Sequence, residues 1–202
     1  YWRISIGVNW NSKWNLKWNL KWNLKWKMSL VQAGMLVGLG VLSRFLPHIP
    51  NSTALGAVAL LAGVHFRSQR VLGVLIPLLT LLLSDLYFGF HNTMIYVYGA
   101  VALTVIFGQW LLKSWNWKRL VGASFLSSLG FFVITNFGVW YSGGLYPATT
   151  DGLSLCFTMA LPFFRNQILG DLMYVAIFFG AYALLMSNSL ASKKLVRSSL
   201  EM

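Results

Sequence analysis

Six long apolar blocks, separated by short polar connections, constrain the fold of this chain most strongly. They lie near residues 29–46, 53–66, 71–88, 94–112, 120–141 and 168–187. A helix crosses roughly 30 Å of hydrocarbon in about 20 residues, because each residue adds about 1.5 Å. The blocks are too continuous for the alternating strands of an outer-membrane barrel. The sequence therefore predicts an all-α integral membrane protein with six transmembrane helices.

The charge composition excludes a soluble domain and a nucleic-acid-binding domain. Only 10% of the residues are charged, whereas a typical soluble domain has about 25%. The formal net charge of +12 comes from Lys and Arg at the ends of apolar blocks, and no separate basic domain exists. We therefore expect the lipid bilayer as a partner and no nucleic acid.

The positions of the basic residues predict the orientation of the chain. The opposite connections hold two basic residues, Arg44 and Arg165, whereas eight follow the second, fourth and sixth blocks: Arg67, Arg70, Lys113, Lys118, Arg119, Lys193, Lys194 and Arg197. Basic residues in short loops are retained in the cytoplasm. We expect a multi-pass protein of the bacterial inner (cytoplasmic) membrane with both termini in the cytoplasm.

The amino-terminal segment differs from the rest of the chain. Residues 13–27 read KWNLKWNLKWNLKWK, and a period of four drifts against the 3.6-residue turn of a helix. One interpretation is a cationic, Trp-rich interfacial helix; the other is translated tandem DNA upstream of a true start at Met28. We expect residues 1–27 to be a non-native or disordered extension, residues 28–190 a membrane domain and residues 191–202 a basic cytoplasmic tail.

Two further features concern the helices and their connections. Glycines in the first two blocks predict close helix packing: Gly34, Gly38, Gly40, Gly56 and Gly63. Residues 142–167 are expected to form one long loop, since the apolar run at 153–164 is too short to cross a bilayer and is typical of an interfacial or re-entrant segment.

With this topology, most of the distinctive polar residues collect at the outer face. Asp85 ends an apolar run, and a carboxylate near hydrocarbon needs compensation by a ligand, by Arg44 or Arg165, or by headgroup water. Asp171 is interpreted as a charge at the start of a helix. An outer cavity formed by three loops and by helices one, three and six is predicted to bind a small molecule through six residues: His48, Asn51, Asp85, Asn136, Trp140 and Arg165.

No motif in the chain indicates catalysis. The sequence has no nucleophile elbow, no phosphate-binding loop and no zinc-type cluster. The single cysteine, Cys156, excludes an intramolecular disulfide. We predict no catalytic residue, no metal site and no cofactor, and the protein is not expected to be an enzyme.

Three stretches carry a resemblance to a known family: RFLPHIPNSTALGAVALLAG, SDLYFGFHNTMIYVYGA and FFVITNFGVWYSGGLYPATTDGL with LPFFRNQILGD. They resemble a family of small bacterial membrane proteins of unknown function, DUF6580. That family is similar to the vitamin-binding S components of energy-coupling-factor transporters, and to the solitary cobalamin transporter among them. The resemblance implies vitamin or corrinoid capture and energising partner subunits.

The same resemblance implies roles for individual residues. His48, Asp85 and Arg165 match by position the His, Asp and Arg that the solitary cobalamin transporter keeps near its corrinoid. Tyr96 and Tyr98 stand in the neighbourhood of its cobalt-coordinating Cys. This departure leaves a His ligand or a different substrate open.

The sequence thus supports two functions. The first is a substrate-binding membrane protein for uptake of a small nutrient, a vitamin or corrinoid, from the outer side. The alternative is a non-transporting membrane subunit whose glycine-rich helices bind a partner protein.

Overall fold

A computed structural model describes residues 29–47, 49–112 and 116–200, with side chains up to residue 184. This part of the chain is all-helical, as predicted. Its six helices are α1 (Ser29–Phe45), α2 (Leu55–His65), α3 (Arg70–Phe88), α4 (Met94–Leu111), α5 (Trp117–Ser142) and α6 (Thr150–Leu200). The KWNL repeat lies outside the described residues.

The helices have the length and surface of a multi-pass membrane protein. By length and composition, four are able to cross a bilayer: α3, α4, α5 and the Thr150–Leu184 part of α6, whereas α1 and α2 are shorter. Apolar side chains point away from the bundle, as on α3, where Leu79, Leu83 and Leu86 are 43%, 49% and 64% exposed. Such a surface suits lipid and is rare in contact with water.

Helix α2 forms the centre of the bundle. It contacts α3, α4, α5 and α6, and eight of its 11 residues are buried. Its small residues explain this position, since a Cβ on Gly63 would meet the Val105 carbonyl of α4, and one on Gly108 would lie 2.6 Å from the Leu60 carbonyl. Small residues let helix backbones approach closely.

The prediction of close helix packing at the glycines is confirmed for some of them and not for others. Gly40 packs against Thr80 of α3, and Gly56 packs against Asp171 of α6. A Cβ on Gly34 or Gly38 would meet nothing within 4 Å. The last two glycines therefore leave one face of α1 uncovered by the described residues.

The predicted loop at residues 142–167 is wrong. Helix α6 runs without a break from Thr150 to Leu200, with Pro162 inside it, and only residues 143–149 connect it to α5. The early part of α6 packs on α5 through aromatic rings, as Phe132 lies 4.4 Å from Phe164 and 5.5 Å from Phe157 between centroids. Hydropathy missed this segment because Pro162, Arg165 and Gln167 interrupt its apolar pattern.

This correction also changes the position of Asp171. The carboxylate was interpreted as a helix-start charge, which is wrong because Asp171 lies well inside α6. Asp151 occupies the first turn instead, where an acidic side chain favours the helix dipole.

Contacts between helix ends define two ends of the bundle. Arg44 near the end of α1 contacts Asp85 near the end of α3, and we name this side the cavity end. Gln69 before α3 donates to Ser29 at the start of α1, over 3.4 Å, and His65 of α2 contacts Tyr182 of α6. These last contacts mark the opposite side, which we name the basic end because Arg67 and Arg70 lie there.

Candidate functional site

A cavity of about 350 Å³ extends into the bundle from the cavity end, and all six helices contribute to its wall. Its exposed lining residues, Asn51 and Phe88, lie at that end. Val97, Val101 and Thr104 of α4 follow one another along the wall, so the cavity reaches about 10 Å along this helix at about 1.5 Å per residue. The wall therefore includes α2, α4 and α5 as well as the three helices expected from the sequence.

Most of the wall is apolar, with a few polar groups placed in it. Leu55, Leu81 and Phe131 contribute apolar surface. The buried polar residues are Thr104, Ser127, Gln167 and Asp171. Apolar walls with a small number of convergent polar groups are typical of small-molecule binding sites.

The first polar group, named the Arg44 cluster, comprises Arg44, Asp85 and Tyr98. Arg44 Nη2 lies 2.9 Å from Asp85 Oδ1, and the Tyr98 hydroxyl donates to Asp85 Oδ2 over 3.0 Å. Asp85 is only 2% exposed, and its charge is compensated by the partly buried guanidinium of Arg44 and by a hydrogen-bond donor. Of the partners considered for Asp85, the structure identifies Arg44.

Arg44 connects this cluster to the cavity. Its guanidinium lies 5.8 Å from the centroid of the Phe88 ring, and both residues line the wall. Nη1 of Arg44 is buried and has no hydrogen-bond partner among the described residues. Asp85 thus faces Arg44 and acts on the cavity through it, while Arg44 keeps one donor group for a further acceptor.

The second polar group, named the Asp171 cluster, comprises Ser128, Gln167 and Asp171. The Ser128 hydroxyl lies 2.7 Å from Asp171 Oδ2, and Gln167 Nε2 donates to the Ser128 carbonyl over 3.3 Å. Gln167 and Asp171 are four residues apart, so they share one face of α6. The absence of a side chain at Gly56 gives the Asp171 carboxylate room against α2.

Sequence reasoning missed Gln167 and Ser127 and misplaced Asp171. A signal existed in the spacing, because Ser124 and Ser128, like Gln167 and Asp171, lie one helical turn apart within apolar segments. Polar side chains at this spacing indicate a polar stripe where two helices meet.

The six predicted site residues lie in different places. Asn51 lines the cavity, with a left-handed φ of 64°. Asp85 contacts Arg44 and is not itself part of the wall. Arg165 is exposed on α6 and is not part of the wall. His48 lies outside the described residues.

The side chains of Asn136 and Trp140 donate hydrogen bonds to backbone carbonyls close to them in the chain. Asn136 Nδ2 donates to the Phe132 carbonyl over 2.8 Å. Trp140 Nε1 donates to the Pro147 carbonyl over 2.9 Å, tying the α5–α6 connection to α5. Neither residue lines the cavity.

Cys156 and Tyr96 both pack against α5. The Cys156 thiol is buried, 3.4 Å from the Asn136 carbonyl oxygen. Tyr96 packs against Gly138 of α5, where a side chain would collide with its ring. Within the described residues, no three His, Cys, Asp or Glu side chains form a group suited to a metal ion.

Comparisons with known proteins identify the family of the chain. Neither the curated proteins nor the solved structures include a significant match. Residues 24–195 match the model of a family of unknown function, DUF6580, and this range includes every described helix except the last residues of α6. The chain therefore belongs to the DUF6580 family.

Proposed function

We propose that this protein spans the bacterial inner membrane six times, with both termini in the cytoplasm, and captures a small nutrient from the outer side. The observation that carries this proposal is the cavity, whose apolar wall holds Arg44, Ser127 and Asp171 as polar groups. The distribution of basic residues supports the orientation. In that orientation the cavity end faces outwards.

The cavity size favours a compact nutrient. Its volume of about 350 Å³ is near the lower limit of small-molecule sites, which measure roughly 300–1,000 Å³. A vitamin with one or two rings suits this space, whereas a corrinoid is much larger. We therefore propose a compact vitamin or similar nutrient as the substrate.

Uptake requires an energy source. The sequence has no phosphate-binding loop for ATP hydrolysis, so the proposal includes energising subunits of the energy-coupling-factor type, as for an S component. In this arrangement the chain supplies substrate recognition, and its partners supply ATP hydrolysis.

Mass spectrometry of the protein purified gently from its native membrane tests the capture proposal. We expect a small molecule to be released on denaturation of the wild type and to be missing in Ser127→Leu, which adds bulk to the wall. Val133→Leu changes an exposed position on the same helix and is expected to retain the molecule. A wild type that releases no molecule, and that no member of a vitamin panel stabilises against heat, would overturn the proposal.

One observation favours the alternative function, a membrane subunit that binds a partner protein. Gly34 and Gly38 are four residues apart on α1 and are exposed. A Cβ at either position would have no atom within 4 Å. Paired small residues of this kind allow close packing of another transmembrane helix. Gly34→Leu combined with Gly38→Leu is expected to remove a partner subunit from the purified complex if this function holds, and to leave the composition unchanged if it does not.

A further inference from the structure

The charge balance of the cavity is incomplete at Asp171. This residue is 8% exposed and belongs to the cavity wall. The ion pair of the described residues joins Arg44 to Asp85, and none of their Lys, Arg or His nitrogens lies within ion-pairing distance of Asp171. A carboxylate removed from water without a cation is unfavourable. Something outside the described side chains is needed to compensate it.

The hydrogen bonds of Asp171 do not remove this need. Ser128 Oγ lies 2.7 Å from Asp171 Oδ2 and 2.9 Å from the Ser124 carbonyl oxygen. A hydroxyl has a single hydrogen to donate, so the two acceptors share it. The Gln167 amide also interacts with the carboxylate and donates to the Ser128 carbonyl. Both donors are neutral, so among the described side chains the negative charge of Asp171 is left without a cation.

Two other polar groups of the wall have the same incomplete bonding. The Ser127 hydroxyl is buried, at 4% exposure of the residue, and has no partner among the described residues. Arg44 Nη1 is also buried and unpartnered. Buried polar groups are normally satisfied, so each exception requires an explanation. One occupant of the cavity would satisfy all three groups.

These three groups differ in what they can bind. Asp171 accepts hydrogen bonds and carries the uncompensated negative charge. Arg44 donates through Nη1, while its own charge is balanced by Asp85. The cavity therefore favours a molecule that carries both a cationic donor and an acceptor.

We propose that the captured molecule carries a positively charged nitrogen group, such as a protonated amine, which pairs with Asp171, and an acceptor group that binds Arg44. This inference rests on the proposed capture function and deepens it. Leu81, Val101 and Phe131 give the wall apolar surface for the carbon skeleton of such a molecule. A proton on Asp171 is the competing compensation, and it predicts no preference for a cation.

The molecule released from the purified protein provides the first test. We expect a compound with a basic nitrogen from the wild type and from Asp151→Asn, and none from Asp171→Asn. Asp151→Asn is a matched control, because it removes the same charge from an exposed position on α6. A neutral or anionic compound, or equal retention by Asp171→Asn, overturns the inference and leaves the capture function intact. Release of no compound, together with no stabilisation by any member of the vitamin panel, overturns both.

Pyridoxamine and pyridoxine provide a second test that does not depend on the natural compound, since they differ by an amine in place of a hydroxyl. We expect pyridoxamine to bind the wild type and Asp151→Asn at least about tenfold more tightly than pyridoxine, as an ion pair requires, with the difference removed in Asp171→Asn. Thermal unfolding with each probe measures it, and unfolding without a probe shows that Asp171→Asn folds. Equal responses to the two probes, including no response, count against a cation site.

Discussion

Asp85 and Asp171 are two buried carboxylates in one helical bundle, and their surroundings are opposite. Asp85, at 2% exposure, contacts a guanidinium and a phenol. Asp171, at 8% exposure, contacts a serine hydroxyl that a backbone carbonyl shares. Burial is therefore similar, but among the described side chains a cation balances the charge of Asp85 and none balances that of Asp171. The partner of a buried charge therefore distinguishes a structural contact from a candidate binding group.

The largest effect is expected when the ion pair is broken from one side. Arg44→Met leaves Asp85 buried with Tyr98 alone, and removal of one partner from a buried pair costs about 3–5 kcal/mol. Equilibrium unfolding in detergent measures this loss of stability, and Arg165→Met is the control because Arg165 is exposed.

A double variant separates the effect of leaving Asp85 unpaired from the effect of losing the ion pair. Arg44→Met combined with Asp85→Leu removes both charges, so we expect it to regain most of the stability lost in Arg44→Met, as replacement of buried pairs by apolar residues often does. If Arg44→Met alone unfolds like the wild type, the Arg44 cluster is not a structural contact.

The next effect concerns the phenol that supports Asp85. Tyr98→Phe removes the hydrogen bond to Asp85 Oδ2, and a hydrogen bond to a charged group contributes roughly 1.5–3 kcal/mol. Tyr96→Phe is the matched control on the same helix, since no described residue is hydrogen-bonded to its hydroxyl. The two variants are compared by denaturant unfolding, and equal stabilities would argue against a contribution from Tyr98.

A smaller effect is expected beside Asp171. Gly56→Ala places a methyl group against the Asp171 carboxylate, and overpacking of a well-packed interior typically costs about 1–3 kcal/mol. Gly38→Ala is the control, because its Cβ would meet nothing within 4 Å. Unfolding should show a loss for Gly56→Ala only, and stabilisation of both variants would mean that the carboxylate has room to move.

The smallest change in stability is expected for Asp171→Asn. The amide keeps the shape of the side chain and an oxygen for Ser128, while the uncompensated charge is removed, so we expect a change within about 1 kcal/mol. Asp85→Asn should be much less stable, because it leaves the partly buried Arg44 without its counter-ion. Comparable losses of unfolding free energy in the two variants would contradict the distinction between the carboxylates.

Hydropathy predicted the first five helices to within a few residues of their ends. For α4, the predicted block at 94–112 compares with Met94–Leu111 in the structure. It failed for the first half of α6, because Pro162, Arg165 and Gln167 interrupt the apolar pattern there. A helix that packs on a neighbour through rings and hydrogen bonds does not need an apolar sequence throughout.

The candidate site was only partly predictable from the sequence. A carboxylate at the end of an apolar run needs a partner, and Arg44 was therefore predictable as one of the possible partners of Asp85. Asn136 and Trp140 were predicted as site residues because of their expected position at the outer face. Their side chains instead donate to backbone carbonyls of α5 and of the α5–α6 connection. Sequence position indicates which side of a bundle a residue occupies and not what its side chain contacts.

The sequence by itself determined that this chain forms apolar helices, because long segments without charge can satisfy their backbone hydrogen bonds in hydrocarbon only as helices. It also placed Arg44 and Asp85 at the same end of an antiparallel bundle, because each lies near the end of an odd-numbered apolar block. Tertiary structure alone decided that Arg44 compensates Asp85 while no described cation reaches Asp171. The physical reason is that charge compensation depends on the approach of side chains from different helices over a few ångströms, and local periodicity does not encode that approach.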